Sequence, residues 1–427
     1  MKLLVIGGGG REHAIIKKLR ENPAVETIYA LPGNGGIAAD AVCVPEIGAK
    51  DIDKIVAFAK DHGIGFAVVA QDDPLALGCV DRLHAIGVPC FGPDAKAARI
   101  ESSKVFSKNL MKKYHIPTAE YRVFTDPAQA LDYLRGGVSF PIVVKADGLA
   151  LGKGVLIPQN LREAEAAVKT IMEDKAFGDS GNQIVVEEFL TGPEVSVLAF
   201  TDGTAIAPMV SSMDHKRAGD GDTGLNTGGM GTVAPNPYYK EEVAKACMET
   251  IFLPTLAAMR AEGCPFKGCL YFGLMITPDG PKVIEYNCRF GDPETQVVLP
   301  LLKTDLLTVM QAVENGTLAD LQVEWSDGAA ACVILASGGY PEHYEKGRAI
   351  AIPEDLPGNV TVYHAGDRLA EDGTLVTSGG RVLGVTAVGD TLAAALKDAY
   401  GAADRIAFEG KYLRRDIGQR AMRALEG

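Results

Sequence analysis

No stretch of this 427-residue chain approaches 18 consecutive apolar residues, so a helical membrane span is not expected. The opening run, Met1-Lys2-Leu3-Leu4-Val5-Ile6-Gly7, is too short for a secretory leader and lacks a small-residue cleavage site. Cysteine is sparse: eight residues lie scattered without a C-x-x-C pair, which argues against a zinc site or a disulfide framework and suits a reduced cytoplasm. Positive charge is in deficit. Against 55 Asp and Glu stand 42 Lys and Arg, a formal net charge of −13, which disfavours non-specific binding to nucleic acid or anionic membrane. Internal repeats and low-complexity tracts are missing too. Two nucleotide signatures also fail. The glycine-rich stretch around Lys153 is not a Walker A loop, because Gly148 is one residue too close and Gly154 replaces the metal-binding hydroxyl. The dinucleotide fingerprint breaks at Gly7-Gly8-Gly9-Gly10, where its third glycine would be Glu12 or His13. The second strand ends Tyr29-Ala30-Leu31-Pro32 without a ribose-binding acid.

What is present is an α/β pattern. Hydrophobic content of 47% and charged content of 23% are ordinary for a globular protein, and at roughly 100–200 residues per domain the length allows two to four domains. Residues 2–6, 27–31 and 66–70 read as strands separated by helical stretches at 11–21 and 52–62, the alternation of a parallel doubly wound sheet. A helix at 104–114 follows. Next comes a small α/β unit with strands near 141–145, 155–158 and 183–189 and a helix at 161–174. The tail from Gly328 carries strands near 330–335, 360–364 and 381–388 and a helix at 391–406. The expected architecture is an N-terminal doubly wound domain at 1–103, a central domain at 104–327 with a lid subdomain at about 121–190, and a C-terminal α+β lobe at 328–427.

The densest chemistry lies at Glu285-Tyr286-Asn287-Cys288-Arg289, where a buried strand from Pro281 ends. Side chains two apart on a strand share a face, about 7 Å apart along the chain. Glu285 and Asn287 thus aim two hard oxygen donors at one spot, which suits Mg²⁺ completed by water and nucleotide phosphates. Arg289 adds a planar fork for phosphate or carboxylate. Cys288 falls with Tyr286 on the opposite face, as a small buried packing residue with a raised thiol pKa.

Three further segments carry candidates. Val143-Val144-Lys145-Ala146-Asp147-Gly148 and Gly152-Lys153-Gly154 make a strand and a loop whose glycine N–H groups, with Lys145 and Lys153, can cradle phosphates, either as a lid or as a plain hairpin. Glu187-Glu188-Phe189-Leu190 ends an apolar strand, whose edge can bond an adenine while Glu194 takes ribose hydroxyls; a simple charged strand end fits as well. Asp214-His215-Lys216-Arg217 leads into Asn226-Thr227-Gly228-Gly229-Met230-Gly231, a layout for a second anionic substrate or for a solvated turn, with His215 a satisfied loop histidine. The helix start at Gly8, Gly9 and Gly10 offers N–H groups for a phosphate.

Taken together these segments resemble the phosphoribosylamine–glycine ligase family of ATP-grasp enzymes over essentially the whole chain. The resemblance rests on Gly7-Gly8-Gly9-Gly10-Arg11-Glu12-His13-Ala14, Pro32-Gly33-Asn34, the lysine and glycine loop at 145–155 and the 214–217 and 226–231 segments. It continues through Asn287-Cys288-Arg289-Phe290-Gly291-Asp292-Pro293-Glu294-Thr295-Gln296, Gly379-Gly380-Arg381-Val382-Leu383 and Arg415-Asp416-Ile417-Gly418. Gln71-Asp72-Asp73-Pro74-Leu75 departs from a Gly-Pro-Glu turn common in the family, and Thr191-Gly192-Pro193-Glu194 lacks a second acid that often precedes the glutamate.

The resemblance implies that ATP converts glycine to glycyl phosphate, from which the amine of 5-phosphoribosylamine displaces phosphate. The products would be glycinamide ribonucleotide, ADP and phosphate, in de novo purine biosynthesis. Glu285 and Asn287 would hold Mg²⁺ or Mn²⁺. Lys104, Lys145 and the 148–154 loop would hold phosphates, residues 187–190 adenine, and Glu194 ribose. Arg289 would stabilise the acyl phosphate, and Asp214 would help seat glycine or the amine. Gly9 and Gly10, with Lys216, Arg217, Asn226, Gly228 and Gly229, would receive substrate. The implied enzyme is a cytoplasmic monomer acting on small molecules, with no nucleic acid or membrane partner. The alternative, another ATP-grasp carboxylate–amine ligase, would share the lid and the Glu285/Asn287 pair but not the 226–231 loop or the 415–418 tail.

Overall fold

The computed structural model describes residues 1–149 and 154–426. Its first strand, β1 (Lys2–Gly7), lies between β2 (Thr27–Pro32) and β4 (Phe66–Val69). With β3 (Val42–Cys43) and β5 (Cys90–Phe91) they form an all-parallel sheet in the order β3-β2-β1-β4-β5. Leu3, Leu4, Val5 and Ile6 are fully buried: Leu4 and Ile6 enter one apolar cluster, Leu3 and Val5 another. A parallel strand covered on both faces needs such an unbroken apolar run.

The chain then builds a four-stranded antiparallel lid sheet from β6 (Tyr121–Phe124), β7 (Ile142–Ala146), β8 (Val155–Leu156) and β9 (Ile184–Glu188), in the order β6-β9-β7-β8. Helices Pro127–Arg135 and Leu161–Val168 supply the other side of its separate core, with Leu134, Val168 and Ile184 buried together. A second antiparallel sheet faces it. This comprises β10 (Glu194–Asp202) and β11 (Ile206–Pro208), joined later in the chain by β16 (Lys267–Thr277) and β17 (Gly280–Asn287). Between them the chain makes β12 (Met213–Asp214), the hairpin β13 (Arg217–Gly219) and β14 (Thr223–Asn226), and β15 (Gly231–Ala234).

The C-terminal region contributes β18 (Ala329–Ser337), β19 (Val360–His364), the small hairpin β20 (Asp367–Leu369) and β21 (Leu375–Thr377), β22 (Arg381–Gly389) and β23 (Lys411–Tyr412). Its main sheet runs β12-β15-β18-β22-β19, with β23 also on β18. An expected boundary at 327/328 thus runs through a sheet. Strand β15 is wholly buried, and its ladder partners are β12 and β18. Strands this short leave too little periodicity to assign from sequence. The short helices Asp72–Ala76 and Cys79–Ala85 were likewise not anticipated.

Phe91, Phe200 and Phe290 meet with ring centroids 5.8–6.2 Å apart, tying the N-terminal sheet to the end of β17. Among the described residues no helix is long and apolar enough to cross a membrane. All eight cysteines are free, and all but the half-buried Cys43 are buried.

Candidate active site

A cleft of about 770 Å³ opens between the lid sheet, β17, the 214–231 segment and the start of β22. Strand β17 is its floor. Pairing with β16 joins Asn287 to Tyr271 and Glu285 to Gly273, then shifts register so that Val283 meets Leu274. Glu285 and Asn287 line the cleft as the two-residue spacing requires. Tyr286 is buried the other way, its hydroxyl 2.9 Å from Thr255 Oγ1. Cys288 is buried as expected, and burial beside Glu101 pushes its thiol well above the usual value. Burial alone would raise the Glu285 carboxyl, but Lys216, Lys145, Lys104 and Arg289 hold it below the usual carboxylate range. The Lys216 ammonium stands 3.7 Å from Glu285 Oε1. An ionised carboxylate and an amide oxygen, with a cation already drawn to them, fit a hard divalent ion that keeps other ligands from water and phosphate.

The lid-side wall is built from ion pairs. Glu187, 4% exposed, lies between Lys108 (Oε2–Nζ 3.0 Å) and Lys145 (Oε1–Nζ 3.1 Å), which are 2% and 3% exposed. Lys145 also donates to Ile284 O (3.0 Å), and Lys108 to Thr118 Oγ1 (2.8 Å), whose hydroxyl donates to Val283 O (2.7 Å). Burial pushes the Lys108 ammonium down to about 8 against the attraction of Glu187. Lys104 donates to Gly148 O at 2.8 Å. Asp147 accepts from Val105 N (3.1 Å) at the start of the helix Lys104–Lys113 and from Gln183 Nε2 (2.6 Å), so the end of β7 and that helix are fixed together. Gly154, Phe189, Leu190 and Glu194 line the cleft. Gly152 and Lys153 lie outside the described residues.

The strand-edge reading of 187–190 is narrowed by the sheet, although Glu187 and Glu188 also line the cleft. Residues 187–188 are not a free strand edge: β9 is flanked by β6 and β7, and the ladder ends only at Glu188. The Glu187 carboxylate is committed to two lysines, and Glu188 pairs with Lys282 at 3.3 Å. That leaves Phe189 and Leu190 as the stretch beyond the ladder.

The opposite wall is acidic. Asp214 accepts from His215 N at 2.8 Å; burial and the neighbouring Glu294 raise its carboxyl well above the usual range. Glu294 is buried and accepts from Tyr271 OH at 3.0 Å. Arg289 pairs with Glu101 at 2.8 Å and faces Asp72. Among the described residues its buried Nε has no partner, a donor whose desolvation a ligand would repay. Gly229 has φ +116°, and a Cβ there would lie 2.5 Å from Pro293 Cδ and 2.6 Å from Asp214 Oδ1, so only glycine fits against the acid.

Arg217 and Asn226 face one another across the β13–β14 hairpin, with Arg217 Nη1 donating to Gly224 O at 2.8 Å. Both line the cleft, as does Gly228. Lys216 also lines the cleft, with its ammonium drawn toward Glu285 on the floor. Gly9 and Gly10 are not among the residues lining the cleft. The expected phosphate seat is taken by Glu12, whose Oε2 accepts from Gly9 N at 2.6 Å, and the Asp292 carboxylate stands nearby. His215 is the satisfied loop histidine expected: Nδ1 donates to Gly231 O (3.0 Å) and Nε2 accepts from Gly418 N (3.1 Å). Sequence reasoning missed Lys108, Glu101, Asp72, Asp147, Tyr340 and Arg381. Lys108 had a local signal, one helical turn beyond Lys104, and Asp147 and Arg381 lie inside motifs quoted above.

Two antiparallel sheets closing on a charged nucleotide-sized cleft are the ATP-grasp arrangement, a class that uses ATP with a divalent metal ion. The family models for phosphoribosylglycinamide synthetase match the chain in three pieces: N domain at 1–101, ATP-grasp (A) domain at 102–295 and C domain at 330–420. The phosphoribosylamine–glycine ligase of Escherichia coli is 48% identical over 425 residues, covering 99% of each chain. The bifunctional purine biosynthetic protein PUR2,5 of Pichia angusta is 48% identical over 430 residues, covering 99% of this chain and 54% of its own length. The crystal structure of phosphoribosylamine–glycine ligase from Thermotoga maritima superposes with a TM-score of 0.86 at 34% identity, covering 98% of this chain and all of that one. The biotin carboxylase domain of Hydrogenobacter thermophilus 2-oxoglutarate carboxylase has the same fold, with a TM-score of 0.74 at 15% identity over 96% of this chain and 91% of that one. The chain belongs to the phosphoribosylglycinamide synthetase family and is an ATP-grasp carbon–nitrogen ligase.

Proposed function

We propose that the two walls of the cleft serve the two halves of one reaction, the ligation of glycine to 5-phosphoribosylamine in purine biosynthesis. The observation that carries this reading is the meeting, over one metal-competent floor, of the half-buried Lys104 and the buried Lys145 with the acidic wall of Asp214 and Glu294. Full-length identity to named ligases supports the substrates.

A carboxylate is a poor acyl donor because oxide is a poor leaving group. Transfer of the γ-phosphoryl group of ATP to glycine gives glycyl phosphate and ADP, and attack by the amine expels phosphate. The transition states spread charge over phosphoryl oxygens, so positioning and electrostatics dominate. Lys104, Lys145 and Gly148, with Gly152, Lys153 and Gly154, hold the phosphates. Phe189 and Leu190 hold adenine and Glu194 the ribose. Glu285 and Asn287 would hold Mg²⁺ or Mn²⁺, which when bound neutralises nucleotide phosphate charge. Arg289, with a spare buried donor, stabilises the acyl phosphate. Asp214 and Glu294 supply negative charge for the glycine ammonium, which also relieves their mutual repulsion. Gly228 and Gly229 present backbone to the acceptor. The protein acts as a cytoplasmic monomer, with the division at 103/104 and the lid at about 121–190 as its functional parts.

ADP release, measured by a coupled assay, should require both glycine and freshly made phosphoribosylamine. Release with bicarbonate and biotin instead would refute the reading. Glu285→Ala should stay folded by circular dichroism and lose turnover by about a thousandfold, of the order reported for removing one electrostatic contributor; near-normal turnover would remove the floor pair from the site.

A further inference from the structure

The motif Gly379-Gly380-Arg381 lies in the C-terminal region, far in sequence from every group given a role above, yet it reaches the cleft. Arg381 begins β22, and its guanidinium crosses to the 228–229 loop. Its Nη1 donates to Gly228 O (2.7 Å), to Asp292 O (2.7 Å) and, more weakly, to Gly229 O (3.3 Å), while Nη2 stands 3.3 Å from Asp292 Oδ2. The other polar group of Gly228 is held from the same side, its N–H donating to Tyr340 OH at 3.2 Å. The two holders are themselves coupled. A Cβ on Gly380 would fall 2.1 Å from the Tyr340 ring, so the ring lies directly over the glycine that precedes Arg381.

The loop cannot hold this shape alone. Two consecutive glycines lose the most backbone freedom on ordering, and local restraint comes from Thr227 N on Lys216 O (2.7 Å) and Gly229 N on Thr227 Oγ1 (3.0 Å). A planar fork can grip several carbonyls at once where a point ammonium cannot. The same guanidinium touches Asp292, three residues beyond Arg289, so it sets the loop in register with the end of the floor. Among the described residues Arg381 pairs with Asp292 and not with Glu187, the carboxylate that holds Lys108 and Lys145.

We propose that Arg381, steadied by Tyr340, is a positioning residue for the acceptor: it fixes the Gly228–Gly229 backbone so that an anionic sugar amine can seat there, without touching nucleotide binding. This rests on the reading of that loop as the acceptor seat.

The test is steady-state kinetics of the full-length protein with ATP, glycine and phosphoribosylamine varied in turn. Arg381→Ala should raise the KM for phosphoribosylamine by about tenfold or more, the effect of losing a charge-assisted hydrogen bond, and leave the KM for ATP within about twofold. Millimolar ethylguanidinium should restore part of the loss, and Arg381→Lys should not match wild type. Tyr340→Phe, which removes only the acceptor for one N–H, should move the same KM in the same direction by a smaller factor. If the KM for ATP rises in parallel, or no KM moves in either variant, the positioning role is overturned. If Arg381→Ala fails to fold, Tyr340→Phe alone decides. A wild type that releases ADP without phosphoribosylamine would instead sink the ligase reading and leave the clamp geometry standing.

Discussion

At the lid end of the cleft, side chain meets side chain: Glu187 is wedged between Lys108 and Lys145, all three almost fully buried. At the hairpin end, backbone meets side chain: the Gly228 peptide is held at both its N–H and its C=O, and His215 bridges Gly231 O and Gly418 N. The lid end stores fixed charge within one subdomain and its neighbouring helix. The hairpin end borrows its rigidity from residues more than a hundred positions downstream. A phosphate chain is the same in every turnover and suits a preset charge array. A loop that must admit a bulkier acceptor is better shaped by hydrogen bonds to its backbone, which cost less to leave and remake than a buried ion pair.

That contrast can be broken. Glu187→Gln removes the one anion between two buried ammonium groups. Breaking a buried pair on one side costs about 3–5 kcal/mol, so urea denaturation should show a loss of that size. A cost below about 1 kcal/mol, the range of solvent-exposed pairs, would show that the array is not a fixed charge store.

The hairpin end should instead be acid-sensitive. Burial lowers His215 from its ordinary value of 6.5 to about 4, against its bond to Gly231. The unfolded chain therefore binds a proton between those values that the folded chain refuses. Stability is present above pH 6.5 and is lost as pH falls toward 4, by roughly 3 kcal/mol at about 1.4 kcal/mol per unit. Denaturation midpoints measured at intervals across that range should fall in wild type and flatten in His215→Asn. Equal slopes in both proteins would move the acid sensitivity elsewhere.

The smallest effect belongs to the floor that both ends share. Cys288→Ala should cost on the order of 1 kcal/mol, as modest buried truncations do, and keep most of its turnover. A folded variant without activity would mean that the thiol takes part in the chemistry.

The sequence made the floor and the N-terminal sheet readable because both depend on local pattern: a period of two at Glu285 and Asn287, and an unbroken apolar run at Leu3 to Ile6. What stayed hidden depends on distance along the chain. Glu101 and Arg289 are 188 positions apart, and Cys288 N donates to that same Glu101 at 2.7 Å. The pairing of Glu187 inside a sheet depends on β6, more than sixty residues upstream. The capping of Gly9 N was legible in principle. An acid three residues after a helix cap is the signature of a carboxylate folding back onto the cap's N–H, and Glu12 stands three after Gly9.

The pairing of β15 with β18 also governs how freely this chain can exchange parts with its relatives. Gly231 meets Val333, Thr232 meets Cys332, Val233 meets Ala331 and Ala234 meets Ala330, with the two partners lying on opposite sides of residue 327. A recombinant joined there would seat one parent's strand against the other parent's, and every mismatch would fall in a fully buried ladder. Crossovers that keep residues 213–234 with the C-terminal third would travel as a unit. Those that separate them would have to match four residue pairs that no local comparison of either half reveals.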